Sequence, residues 1–226
     1  MLRRSVVAIA VLGLLLVACG APSRPKAATP TTGASTSTIA LTPIGFDLGR
    51  LQVTPLGSMV GYGPEQFGPA WADTDHNGCD TRDDVLNRDL TGVMLQAGSR
   101  CVVRAGTLAD PYTGTTIAFT QATAGAVAID HVVPLGRAWA QGAASWSAAD
   151  RSRFANDLVV PELLTVDAHA VQAKGDQAPD TWNPPDRAFW CLYATDWVQV
   201  KVAWNLTVTA AEKAALVPML AGCAAP

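Results

Sequence analysis

The stretch Ile129-Asp-His-Val-Val-Pro-Leu135 is the part of this sequence that says most about its fold. Two further apolar residues precede it, Val127 and Ala128, which predicts a short β-strand that ends in Asp130 and His131. Neighbouring side chains on a strand point to opposite faces, so His131 could face a water molecule while Asp130 faces a bound cation. An imidazole can accept a proton from water near neutral pH, and a carboxylate can hold a divalent cation that stabilises a leaving phosphate oxygen. The pair alone is too common to identify an activity.

The segments around this strand predict an α+β domain in which helices are the majority. A β-hairpin is predicted from residues 101–106 and 115–119, which flank the turn sequence Asp110-Pro-Tyr-Thr-Gly114. Ser147 and Thr209 each have an acidic residue three positions later, a capping-box pattern that predicts a helix start. Helices are predicted over residues 81–90, 147–158, 167–174, 190–204 and 209–220.

Six stretches, taken together and in this order, carry a resemblance to a known family. They are Trp71–Leu86, Asp110–Gly114, Ile129–Leu135, Phe154–Asp157, Lys174–Asp176 and Trp182–Pro185. The sequence resembles exported actinobacterial HNH endonuclease-like proteins, which are related to the C-terminal domain of GmrSD-type modification-dependent restriction enzymes. The resemblance covers about residues 65–223. It implies a ββα-metal (His-Me finger) core with additional helices, in which two strands and a helix clasp one divalent ion: Mg²⁺ or Mn²⁺, with Zn²⁺ also conceivable.

The resemblance also implies roles for single residues. His131 would be the general base that activates water, and Asp130 would be a metal ligand. Arg82 and Asp83 would support the site or contact phosphate, or else form a salt bridge at a helix start. The other residues expected to support the site or contact phosphate are Asn156, Asp157, Glu162 and Lys174.

The sequence departs from the family pattern at two positions. Glu162 stands where relatives have an asparagine that buttresses the loop carrying the histidine. Val171 stands where the helix of relatives carries a metal-binding asparagine, and a valine side chain cannot coordinate a metal. Either a neighbour takes over, or the domain keeps its fold and has lost or weakened catalysis. The candidate neighbours are His169, Gln172, Asp167 and Glu162; His169 lies two residues before Val171, about 200° away on a regular helix, so it needs a register shift.

Two other patterns have a structural interpretation. Asp73-Thr-Asp-His-Asn-Gly78 resembles the start of a calcium loop, but the spacing puts Asp84 where glutamate is usual and places Cys79 inside the loop. We interpret it as a turn held by Cys79. Six tryptophans could form a base-stacking platform, although their spacing favours packing in the core: residues 139, 146, 182, 190, 197 and 204.

The N-terminus predicts export and lipidation. Arg3 and Arg4 precede an apolar run over residues 6–17, which is short for a membrane span. Cys19 follows in a context that fits the lipobox of bacterial lipoproteins. We therefore expect a signal peptide at residues 1–18 and a lipidated Cys19 that anchors the chain to the outer face of the cell membrane. Secretion is the alternative. A flexible Ala/Pro/Thr/Ser tether is expected over residues 19–42. The remaining residues, 43–226, would form the nuclease-like domain.

The other four cysteines predict disulfides outside the cytoplasm. The pairs Cys79–Cys101 and Cys191–Cys223 are favoured because each lies within one local unit. A zinc site made of all four thiolates is the rival, but no CxxC spacing supports it.

Net charge gives less support to a nuclease. The chain has 16 basic and 19 acidic residues, a net charge of −3, which becomes −5 without Arg3 and Arg4. Proteins that bind nucleic acid usually present a basic face, so this balance argues against tight DNA binding, although a local basic groove is compatible with it.

The leading hypothesis is a metal-dependent HNH-type endonuclease that hydrolyses DNA, or RNA, outside the cytoplasmic membrane. The second is a lipid-anchored binding or structural module that retains the nuclease fold without turnover. A third is an envelope hydrolase acting on another phosphodiester or on a wall polymer. No protein partner is implied.

Overall fold

A computed structural model describes residues 44–223 of the chain. The predicted signal peptide, the lipidated Cys19 and the tether over residues 19–42 lie outside the described residues. Within residues 44–223, none of the helices combines the length and the apolar character needed to cross a membrane.

The fold is of the α+β class, as predicted, and it contains two disulfides. The helices of the described part are α1 (Ile44–Arg50), α2 (Thr81–Asp89), α3 (Leu135–Ala140), α4 (Ala148–Ala155), α5 (Ala168–Lys174), α6 (Trp190–Ala203) and α7 (Ala210–Ala221). Short 3-10 helices lie at Pro64–Phe67, Gln121–Ala126, Ala143–Ser145 and Arg187–Phe189. The strands are β1 (Thr91–Leu95), β2 (Val103–Ala109), β3 (Thr116–Thr120), β4 (Val127–His131) and β5 (Leu163–Asp167).

The strands form two antiparallel sheets. The first has the order β1-β2-β3 and contains the predicted hairpin, extended by β1 at one edge. The second pairs β4 with β5, so that His131 lies opposite Leu163 and Ile129 opposite Thr165. Since α5 follows β5 directly, these two strands and one helix form a ββα unit, with α3 and α4 inserted between its strands.

Two hydrophobic clusters support this unit. The larger one contains Phe154, Tyr193 and Trp197 and extends over most of the helices. The smaller one lies between α2, the three-stranded sheet and β4, where Val85, Phe119 and other apolar side chains meet. Trp139 and Trp197 are buried, and the tryptophans at 146, 182, 190 and 204 pack partly buried against the larger cluster, as predicted.

Local signals in the sequence explain several boundaries. The Ser147 side chain accepts a hydrogen bond from Asp150 N at the start of α4, and Thr209 forms the expected reciprocal capping box with Glu212. The disulfides join the predicted pairs. Cys79–Cys101 connects the loop before α2 to the segment before β2, and Cys191–Cys223 connects the start of α6 to the residues after α7.

Candidate active site

His131 is held at the end of β4 by contacts to its ring. Its Nε2 atom lies 2.9 Å from the carbonyl oxygen of Ala155, at the end of α4. A carbonyl oxygen can only accept a hydrogen bond, so Nε2 carries the proton and the lone pair is on Nδ1. The Trp71 ring lies nearly parallel to the imidazole, at 9° with 6.1 Å between ring centroids. His131 is thus arranged to accept a proton at Nδ1.

The electrostatic surroundings of His131 favour its neutral form. Burial lowers the pKa of His131 from its ordinary value of 6.5, and the positive charge of Lys174 acts in the same direction. The hydrogen bond to Ala155 and the charge of Asp130 oppose this shift without cancelling it. A neutral imidazole is the form that a general base requires.

A cavity of about 290 Å³ lies beside His131. Its walls are mainly apolar, and they include Trp71, Leu135 and the 3-10 helix Pro64–Phe67. Asn156 lines this cavity and also lines a second groove of about 510 Å³. Arg153 and Trp204 line the second groove as well. Asn156 therefore lies between the cavity beside His131 and this groove.

Asp130 is buried, only 6% exposed, and it takes part in an ion pair. Its Oδ2 accepts hydrogen bonds from the Tyr112 hydroxyl at 2.5 Å and from Lys174 Nζ at 2.5 Å. Lys174 is completely buried, and its Nζ also donates to the carbonyl oxygen of His131 at 2.6 Å. These contacts tie α5 to the end of β4, immediately behind the imidazole.

Glu162 is completely buried and supports the loop that follows His131. Its Oε2 accepts a hydrogen bond from Val133 N at 3.1 Å, and its carbonyl oxygen accepts one from Val132 N at 2.7 Å. The other carboxylate oxygen, Oε1, is buried without a hydrogen-bond partner. Burial is the main reason that the pKa of Glu162 lies well above its ordinary value of 4.5.

Asn156 holds the segment that carries Trp71. Its Oδ1 accepts a hydrogen bond from Ala72 N at 2.9 Å, and its Nδ2 donates to the Ser152 carbonyl oxygen at 3.0 Å. Asp157, the next residue, accepts hydrogen bonds from Val159 N and from Trp204 Nε1. The asparagine therefore belongs to the surroundings of His131, while the aspartate shapes the neighbouring groove.

The remaining residues predicted for the site contact other parts of the fold. Asp83 Oδ1 accepts a hydrogen bond from Val103 N at 3.2 Å and so connects α2 to β2. Burial is the main cause that raises the pKa of Asp83. Arg82 makes no hydrogen bond or salt bridge within residues 44–223. His169 is exposed on α5 and does not contact Asp130.

The residues around Asp130 do not fit a divalent ion as they are arranged. In the part of the chain that the structure describes, no group of three His, Cys, Asp or Glu side chains could hold a metal. Asp130 is already neutralised by Lys174, and Val171 packs partly buried against the larger hydrophobic cluster. Metal ligation by Asp130 and by His169 therefore stays a prediction, and we derive no chemical step through a metal.

The acidic loop before α2 is closed by its own hydrogen bonds. Asp73 Oδ2 accepts from Gly78 N at 3.0 Å, and the Asn77 side chain donates to Asp75 and Asp84. Together with the disulfide of Cys79, these bonds form the turn that was expected from the sequence.

Sequence reasoning missed two residues that contact the central pair. The sequence singles out neither Tyr112 nor Trp71 beyond their place in the matching stretches. An aromatic residue inside an otherwise polar motif was nevertheless a signal of a specific contact. Nothing in the sequence pointed to the carbonyl oxygen of Ala155, because every residue carries one.

Comparisons with known proteins identify the family of this chain. Residues 80–219 match the family model described as the C-terminal domain of GmrSD restriction endonucleases. A protein of Arthroderma benhamiae described as an uncharacterized secreted protein is 44% identical over 176 residues, which are 78% of this chain and 82% of that protein. No solved structure matches.

Proposed function

Because this chain belongs to the family of GmrSD restriction endonuclease C-terminal domains, we propose that it hydrolyses phosphodiester bonds of DNA with His131 as the general base. The observation that carries the proposal is the hydrogen bond of His131 Nε2 to the Ala155 carbonyl oxygen, which leaves Nδ1 free to accept a proton. RNA is the alternative substrate.

In the proposed reaction, a water oxygen attacks phosphorus while His131 Nδ1 takes the water proton. The bond from phosphorus to the sugar oxygen of the leaving strand breaks, and that oxygen takes a proton from solvent. The stacked ring of Trp71 and the Ala155 carbonyl oxygen restrict rotation of the imidazole, which keeps Nδ1 aimed at one position. Lys174 holds the backbone of His131 through its carbonyl oxygen. The sequence resemblance adds one divalent ion, Mg²⁺ or Mn²⁺, to this reaction, but the side chains around Asp130 do not support such an ion in their present arrangement.

Export is part of the proposal. We infer that residues 1–18 are removed and that Cys19 carries lipid, which would place the domain outside the cytoplasm. The secreted relative supports export, and the two disulfides suit an oxidising compartment. Labelling with palmitate should be lost in Cys19→Ser and should be sensitive to globomycin; unchanged labelling of the variant would exclude the anchor.

The test of hydrolysis uses the chain from residue 20, without the signal peptide and the lipidated Cys19, with supercoiled plasmid, in Mg²⁺, in Mn²⁺ and in EDTA. Nicking by the wild type should disappear in His131→Ala. His76→Asn is the matched control, because it removes an exposed histidine far from the candidate base in the sequence. The backbone of His76 is left-handed, a conformation that asparagine tolerates. If no condition gives nicking above the level of His131→Ala, the hydrolase proposal fails.

A second candidate is a nuclease-fold module at the cell envelope that binds its ligand without turnover. The ion pair of Asp130 with Lys174 and the apolar Val171 favour it, because they take a cation site away from the reaction. Retained DNA binding by both the wild type and His131→Ala, with cleavage by neither, would select this candidate.

A further inference from the structure

We propose that the ammonium group of Lys174 takes the place of a divalent cation beside Asp130 and positions His131 without a resident metal. The inference rests on the proposed function only in treating His131 as the reactive side chain. Lys174 is a positioning residue in this proposal, because its completely buried side chain cannot touch a substrate.

The contacts of Lys174 are those expected of a bound cation. Its Nζ atom lies 2.5 Å from Asp130 Oδ2 and 2.6 Å from the carbonyl oxygen of His131, so one positive charge joins a carboxylate to a backbone oxygen. The Tyr112 hydroxyl donates to the same carboxylate oxygen at 2.5 Å. Oδ2 thus receives two short hydrogen bonds, one of them from a charged donor.

The same contacts link the elements that a metal would link. Lys174 is the last residue of α5, whereas Asp130 and His131 end β4. The ion pair therefore fastens the helix of the ββα unit to the strand that carries the imidazole. A side chain fixed by the fold performs this task permanently, so chelation cannot remove it.

A divalent ion would compete with Lys174 for Asp130 Oδ2, and the positive charge of Lys174 would repel it. An ion bound to Asp130 Oδ2 would lie within about 5 Å of Lys174 Nζ, because metal–oxygen distances are about 2.1 Å and Nζ is 2.5 Å from Oδ2. Two positive charges at that separation repel each other strongly in a buried region. The helix offers no compensating ligand, since Val171 is apolar and His169 is exposed.

The experiment measures Mn²⁺ binding to the metal-free chain of residues 20–226, which leaves out the signal peptide and the lipidated Cys19, by electron paramagnetic resonance. The wild type should show no Mn²⁺ site that depends on Asp130. Lys174→Ala should gain one, with affinity raised more than about tenfold, because the variant removes the ammonium group from Asp130 Oδ2 and with it the repelling charge. The gain should vanish in Asp130→Asn/Lys174→Ala. Lys213→Ala is the matched control, because it removes a lysine whose contacts lie at α1, with Gly49 and Leu51.

A second measurement does not depend on whether the Lys174→Ala variant folds. The ring ¹⁵N resonances of His131 in the wild type should keep their intensity when Mn²⁺ is added, because a paramagnetic ion beside Asp130 would broaden them. One Mn²⁺ per wild-type chain, with broadening of His131 and loss of binding in Asp130→Asn, would overturn the inference. Metal titration decides this inference, whereas plasmid nicking decides the hydrolase proposal, so either can fail alone.

Discussion

Glu162 accepts a hydrogen bond from the backbone of Val133, with 3.1 Å between Oε2 and the amide nitrogen. The accepting carboxylate is completely buried, and the amide lies two residues after His131. Relatives are expected to have an asparagine at this place in the sequence. The glutamate therefore still supplies an acceptor that supports the loop, but it brings an ionisable group into the interior.

Replacement of Glu162 should separate these two effects. Glu162→Gln keeps an acceptor for Val133 N, whereas Glu162→Ala leaves that amide unpaired and should cost about 2–3 kcal/mol. Because burial raises the pKa of Glu162 above 4.5, the folded protein holds this proton more tightly than the unfolded chain. Stability of the wild type relative to Glu162→Gln should therefore fall as pH rises above 4.5.

Urea unfolding of the wild type and of both variants, at about pH 5 and about pH 8, checks this expectation. A Glu162→Gln protein that is less stable than the wild type at the higher pH would show that the ionised carboxylate is stabilised by a partner.

The Asp130–Lys174 pair should be strongly coupled in unfolding. Lys174→Met leaves a buried carboxylate without its cation, and Asp130→Asn leaves a buried ammonium without its anion, so each should cost about 3–5 kcal/mol. The double variant should cost less than the sum of the two, because it leaves neither charge alone. A double-mutant cycle from urea unfolding measures the difference, with Lys213→Met as a control for loss of one lysine. Additive costs would contradict the pairing.

Asp196 should make the stability of the domain depend on pH. Burial raises the pKa of Asp196 from 3.8 to about 7, with the nearby charge of Arg88 opposing the shift. Between these two pH values the folded protein binds more protons than the unfolded chain, so stability falls as pH rises. Asp196→Asn should therefore become more stable than the wild type by about 2–4 kcal/mol near pH 8, and lose this advantage near pH 4.

Thermal unfolding across this pH range tests the role of Asp196, with the exposed Asp180→Asn as the matched control. Parallel pH profiles for the wild type and Asp196→Asn would show that the carboxylate has a solvated or paired environment.

The disulfide Cys191–Cys223 should stabilise the packing of α6 against α7. Its cysteines are 32 residues apart, and closing a loop of that length stabilises the folded state by about 3–4 kcal/mol in the chain-entropy model. Cys191→Ser/Cys223→Ser should lower the free energy of unfolding by that amount. Reducing agent should destabilise this double variant less than the wild type, because one bridge remains; equal sensitivity would contradict a formed Cys191–Cys223 bridge.

Much of the fold could be predicted from short-range patterns. The hairpin, the helix starts at Ser147 and Thr209 and the strand ending in His131 are local signals, and the structure contains all of them. Only Thr209 forms the reciprocal capping box, whereas Ser147 caps its helix without the second bond. Strand β1 was missed because its sequence, Thr-Gly-Val-Met-Leu, does not alternate between apolar and polar residues, and four of its five residues are exposed. The disulfide pairs were predictable because each joins cysteines of one local unit.

The sequence by itself determined the family and the α+β class, because these depend on residue types in a fixed order, and the same motif singled out His131 as the candidate base. Only the tertiary structure decided which atoms of the site face each other. Lys174 meets Asp130 across 44 residues, and His131 meets Ala155 across 24, so both contacts depend on how α3, α4 and α5 pack around β4. That packing buries Asp130 and Lys174 together as an ion pair, at the residue to which the sequence resemblance assigns a metal.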